Sequence, residues 1–385
     1  MKNYKLLLAL VMVLTFTGGF FAGMFVSTDS QQENAEQIKR VKQAPLSAKS
    51  PSLKEKPKWE SEQSNVLIGY VQDFRDPETV DYDNLTHIIF SFAHPTKEGN
   101  LLFNGETAKR NLREMVTKAH KQNTKVILAI GGWYHIKGGE SYEYFKQAIT
   151  NSTSRTKLVN ELVNITNREN LDGIDIDFEH PRTKEDAQNL AAFTKVLSEK
   201  LHKKNKELSI AVNAKVHSVA GTEITNVVYE PSLFKHVDHV NIMAYDGQWD
   251  GGYNAANLSP YSYAEDIVNY WTNLFDTYKL SKEKLVLGVP FYAQPENQDS
   301  KQISYAAIIK SNPENAEHDM VNMNGTTYHY NGENTVQKKT KLALNNGFGG
   351  MMLWEAGHDA SGTYSLTGVI SDTLDKASQY ALNER

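Results

Sequence analysis

The stretch LDGIDIDFEH, Leu171 to His180, decides how this chain folds. Asp175, Asp177 and Glu179 fall at spacing two, the period of a strand, so they share one face, while Ile174, Ile176 and Phe178 take the other. A strand whose apolar side is covered by helices carries its remaining side chains into the interior of the sheet it belongs to. The three acids therefore point inward. Desolvating one carboxylate is costly, and like charges this close oppose each other's ionisation, so such a row does little for stability. A solvated edge strand and a hard-cation site are the competing readings, although no histidine stands on the acidic face to suggest a mixed metal site. Acid catalysis is the reading that needs these residues, because repulsion and burial together keep a proton on the outermost carboxyl at neutral pH.

Seven similar runs flank this strand: VLIGYV from Val66, THIIFSF from Thr86, KVILAIGG from Lys125, ELSIAVNA from Glu207, HVNIMAY from His239, KLVLGVPFY from Lys284 and GGMMLWE from Gly349. Stretches with helical spacing separate or follow them at 107–121, 142–168, 184–203, 263–278, 335–345 and 365–381. Eight alternating units over about 320 residues predict a (β/α)8 TIM barrel rather than a doubly wound sheet, and no GxGxxG follows the first strand. Reacting groups in such barrels come from the C-terminal ends of the strands.

The 385 residues are 40% hydrophobic and 23% charged, enough for a large core, and the net charge of -5 offers no basic footprint for nucleic acid. The absence of cysteine excludes disulfides, thiolate metal sites and a cysteine nucleophile. The 12 histidines show no ligand-like spacing, so His180 and the others read as structural, and no metal or other cofactor is expected. A monomer is expected as well. Lys2 and Lys5 precede an uncharged run from Leu6 to Val26. At about 20 residues it is long enough to span a bilayer, longer than the roughly 7 to 15 apolar residues of a secretory signal. No small-x-small pair marks a cleavage site at its end. Residues 1–27 are therefore expected to anchor an exported chain in the membrane, with a cleaved signal as the alternative. Residues 28–62, rich in Gln, Lys, Glu, Ser and Pro, read as a disordered stalk, which leaves 63–385 for the catalytic barrel.

DGIDIDFE, Asp172 to Glu179, resembles the DGxDxDxE signature of family 18 glycoside hydrolases, the chitinases and endo-β-N-acetylglucosaminidases. Other segments agree along the chain. AIGGW (Ala129 to Trp133) is similar to the family's SxGG segment with Ala129 in place of serine, and MAYD (Met243 to Asp246) matches MxYD. GVPFYAQ (Gly288 to Gln294) is similar to GxPxYGR with Gln294 in place of arginine, and GGMMLWE resembles the last-strand segment that carries the tryptophan under the sugar. Only about 55 residues separate the seventh and eighth strands, so the α+β insertion of many chitinases is expected to be absent or much reduced, and the groove shallow.

The resemblance implies hydrolysis of a polymer or oligosaccharide containing N-acetylglucosamine, by a substrate-assisted route in which the sugar's own acetamido group is the nucleophile. It implies Glu179 as proton donor, Asp177 as partner of the acetamido N–H and Asp175 as a proton-sharing neighbour, and beside these catalytic acids Tyr245 is expected to hydrogen-bond the acetamido oxygen and Asp246 to bind the sugar or restrain Glu179. Trp354 is the expected stacking face, with Met243, Trp133, Tyr70 and Tyr292 as further sugar contacts. Asp172 has the other parity and is expected to support the strand. N-linked glycans and peptidoglycan remain alternative substrates, and a non-catalytic chitinase-like lectin is the reading from another class.

Overall fold

The strands form where apolar, β-branched residues alternate in facing. Val126, Leu128 and Ile130 turn toward the helices and join the large outer core, while Ile127 and Ala129 turn inward with Ile68, Ile89, Val286 and Met352 to fill the barrel. A computed structural model describes residues 65–214, 224 and 227–383, so the expected membrane segment and stalk lie outside the described residues. Strand β1 is Val66–Gln72, β2 is His87–Pro95 and β3 is Leu101–Leu102, followed by β4 (Lys125–Gly131), β5 (Gly173–Asp177), β6 (Glu207–Asn213), β7 (His239–Met243) and β8 (Leu285–Pro290). Four short strands come next: β9 (Tyr292–Pro295), β10 (Ile303–Ser304), β11 (Met320–Met323) and β12 (Thr326–His329). The last is β13 (Gly350–Trp354).

β1, β2, β4, β5, β6, β7, β8 and β13 run parallel in that ring order, and the pairings of β1 with both β2 and β13 close the ring. This is the (β/α)8 barrel expected from the sequence, with β3 added antiparallel to the end of β2.

Two details go beyond the sequence reading. The single helix expected over 142–168 is two, Tyr142–Thr150 and Ser152–Arg168. Asn151 between them is extended, and its side chain accepts a hydrogen bond from the Thr153 amide at 2.7 Å, so it ends one helix and N-caps the next. The connection from β8 to β13 folds β10, β9, β12 and β11 into a small antiparallel sheet beside the short helix Tyr305–Ser311. It is the form the much-reduced insertion takes. Gln294, at the family's arginine position, is buried on β9 opposite His329.

Candidate active site

Asp175 and Asp177 lie on β5, and Glu179 follows at its C-terminal end. Strand β4 can pass close beside them because of Gly131 and Gly132: a Cβ on Gly131 would fall 2.0 Å from the Asp177 carbonyl oxygen, and the Gly132 amide donates to that oxygen at 2.9 Å. Asp172, of opposite parity, accepts from the Val126 amide at 2.8 Å and lies 2.7 Å from His120 Nε2, so it ties the start of β5 to β4.

Asp175 is fully buried and well supplied with donors. The Tyr70 hydroxyl donates to Oδ2 at 2.8 Å, while the Ser209 hydroxyl and the Asn241 amide donate to Oδ1 at 2.6 and 3.2 Å. These bonds favour the anion, yet burial outweighs them and pushes the carboxyl up to about 6. On β4 its cross-strand neighbour Ala129 has no hydroxyl to offer, so Ser209, the neighbour on β6, supplies one. Asp177 differs. It is also buried, its Oδ1 has no hydrogen-bond partner, and burial, then the charges of Glu179 and Asp175, raise it well above the usual carboxylate range. Two charges about 6 Å apart repel by roughly 3 kcal/mol at an effective dielectric of about 20, so the row cannot be fully ionised cheaply. Glu179 is the outermost of the three, with a side chain 17% exposed and His180 Nε2 at 3.7 Å from its Oε2.

Strand β7 delivers the next groups. Asp246 turns the chain in the left-handed region, with φ 63°, and accepts from the Tyr292 hydroxyl at 2.5 Å and the Gln248 amide at 3.2 Å. Tyr245 is buried, with its hydroxyl 3.8 Å from Met352 Sδ and its ring edge-on to Tyr292. Met243 packs on the inner barrel cluster and Trp354 closes the end of that cluster, stacked on Phe92 and tilted against Tyr70. Trp133, after β4, is 49% exposed. Tyr70 and Tyr292, expected as sugar contacts, are instead buried, with their hydroxyls committed to Asp175 and Asp246. Their placement is that of supports beneath the carboxylates.

A sequence profile described as Glycosyl hydrolases family 18 matches residues 58–359. The chain belongs to family 18. Among its relatives, the Probable chitinase 10 of Drosophila melanogaster is 29% identical over 57% of this chain and 10% of that protein. A chitinase-like effector of Moniliophthora roreri is 29% identical over 58% of this chain and 56% of its own length, so the chain spans a tenth to just over half of these relatives. In fold it is similar to a chitinase of Flavobacterium johnsoniae, with TM-score 0.67 and 24% identity over 82% of this chain and 96% of that one. A chitinase from Bacteroides thetaiotaomicron gives 0.64 and 25% over 81% and 96%.

Sequence reasoning passes over Ser209 and Asn241, the donors to Asp175, and Phe92 beneath Trp354. Their signal is present: Ser209 and Asn241 are polar residues at inward parity in their strands, and Ser209 is in register with Asp175.

Proposed function

We propose that this family 18 member is a glycoside hydrolase that cleaves β-1,4-linked N-acetylglucosamine chains, chitin or its oligosaccharides, with retention of configuration. The observation that carries this reading is the graded column on β5: Asp175 saturated with donors, Asp177 buried with a free oxygen and a raised pKa, and Glu179 outermost at the barrel mouth. Glu179 gives its proton to the glycosidic oxygen as the bond to the anomeric carbon breaks. The acetamido carbonyl oxygen attacks that carbon and forms an oxazolinium ion, while Asp177 accepts the acetamido N–H and carries its charge. Water then opens the ring, with Glu179 taking the proton back. Tyr245 and Asp246 hold the acetamido group, and Trp354 underlies the sugar. The chain is exported and held at the cell surface by residues 1–27.

The names of relatives include chitinase-like proteins, so the rival is a lectin on the same barrel. A fluorogenic chitobioside separates them: the full chain should turn it over, and Glu179→Gln should keep sugar affinity while kcat falls by several orders of magnitude. Binding without turnover in the wild type would establish the lectin. The substrate's part is tested on the same protein: the first product should retain its β configuration by NMR, a thiazoline analogue should inhibit strongly, and fully deacetylated chitosan should resist cleavage. Chitosan cut at a comparable rate would falsify the acetamido route.

A further inference from the structure

At the end of the barrel opposite the acids, four side chains of inward parity come from the first residues of their strands: His87 of β2, Lys125 of β4, Glu207 of β6 and His239 of β7. β2 and β7 stand across the ring from one another, yet the two imidazole centroids are only 5.2 Å apart. Gly173, which opens β5, lets the start of that strand pass close to β6, since a Cβ on it would lie 2.5 Å from the Glu207 carbonyl oxygen. Both rings address one carboxylate oxygen: His87 Nε2 is 3.0 Å and His239 Nε2 is 3.9 Å from Glu207 Oε2. One ligand atom from each of the three residues lies within 4.8 Å of the others.

We propose that His87, Glu207 and His239 bind one divalent transition-metal ion of the zinc class, which ties β2, β6 and β7 together across the barrel floor. Four-coordinate zinc holds nitrogen and oxygen ligands at about 2.0 to 2.2 Å, which sets the ligand atoms roughly 3.3 Å apart. The 3.0 and 3.9 Å separations bracket that spacing, so small side-chain adjustments complete the set. Two imidazoles with one carboxylate suit zinc and its neighbours and disfavour magnesium or calcium, which take oxygen. Outer partners are also in place: Lys125 Nζ holds Glu207 Oε1 and leaves Oε2 to the metal, and Thr86 Oγ1, 2.8 Å from His87 Nδ1, aims that ring's Nε2 at the gap. Glu207 and His239 keep 23% and 15% of their side chains exposed, which leaves solvent access for entry and for a water as fourth ligand.

The rival is a plain ion cluster in which a proton between His87 and Glu207, with Lys125 beside them, takes the place of the metal. The untagged full chain, stripped with EDTA and dialysed, separates the two by calorimetric titration and thermal melts, and neither readout involves turnover. One equivalent of Zn2+ should bind and raise Tm by about 5 °C at a hundredfold excess over Kd, whereas Mg2+ should do neither. His239→Gln should lose affinity by more than the roughly 10–100-fold typical of an outer-shell change, while its Tm in EDTA stays near that of the wild type. Glu207→Gln gives a second test if that variant folds poorly. Co2+ should give the visible bands of a four-coordinate site in the wild type only. No saturable Zn2+ binding, or equal binding by the wild type and His239→Gln, would overturn the proposal and leave the ion cluster.

Discussion

At Asp177 stability and chemistry pull in opposite directions within one side chain. Its free Oδ1 forgoes a hydrogen bond, and burial followed by the Glu179 and Asp175 charges raises its pKa well above that of an exposed aspartate. An acid raised on folding keeps its proton to higher pH than the unfolded chain does. Its cost is therefore absent below the unfolded value of about 3.9 and grows as pH rises toward the folded one. For Asp175, pushed up to about 6, that window runs from about 4 to 6, and the cost of Asp177 has the same sign and likewise grows as pH rises above the unfolded value. Asp177→Asn keeps the shape and removes the charge. It should melt a few degrees above the wild type at pH 7, at about 2–4 °C per kcal/mol relieved. The gap should close near pH 3.5, about where the unfolded acid is protonated, and activity should fall by orders of magnitude. Thermal melts across that pH range measure it, and a variant less stable than the wild type at pH 7 would show that the carboxylate is paired after all.

Elements were legible where a period ran long enough to be seen. The eight barrel strands begin within a residue of the runs read from the sequence, because alternation along GIDID and its counterparts fixes which face turns inward. The break at Asn151 was hidden inside an unbroken helical pattern, and the insertion strands, as short as Ile303–Ser304, carry no measurable period. Side chains that meet only through strand register were out of reach for another reason: His87, Glu207 and His239 are far apart in the chain, and spacing along it says nothing of a ring that folds back on itself. Lys339 was out of reach in the same way, because its partners are brought to it by the fold and not by spacing along the chain. It lies fully buried on the helix Glu333–Asn345 and donates to the Ser259 carbonyl at 2.6 Å, the Ser259 hydroxyl at 2.7 Å and the Asn331 side chain at 2.7 Å. The Ser259 hydroxyl in turn donates to the Ala244 carbonyl at 2.6 Å, immediately before Tyr245. Burial lowers the lysine to about 7, so the cation is costly, but its removal takes the donor from buried Asn331 Oδ1 and one bond each from the Ser259 carbonyl and hydroxyl. Lys339→Met should destabilise by about 1–3 kcal/mol in chemical denaturation and raise KM by loosening the turn at Tyr245. An unchanged midpoint would mean that the acceptors find other donors.

Across the described residues the two ends of the barrel carry different groups, the acids at the mouth and the ionic floor beneath. The first bond of the barrel is the Val66 amide to the Gly349 carbonyl at 2.8 Å, and Gln63–Arg385 form one unit of contacts. Removal of residues 1–62 should therefore give a soluble barrel whose kcat on a chitobioside stays within about twofold of the full chain, as expected for a terminal segment outside the packed domain. The full chain should remain with membranes after an alkaline carbonate wash, because about 20 apolar residues span the hydrocarbon core and a peripheral contact does not survive that treatment. Both fractions are read by immunoblot and activity. A mature N-terminus after about Ser27 in Edman sequencing would replace the anchor by a cleaved signal, and an insoluble truncated chain would mean that the barrel needs residues before Gln63.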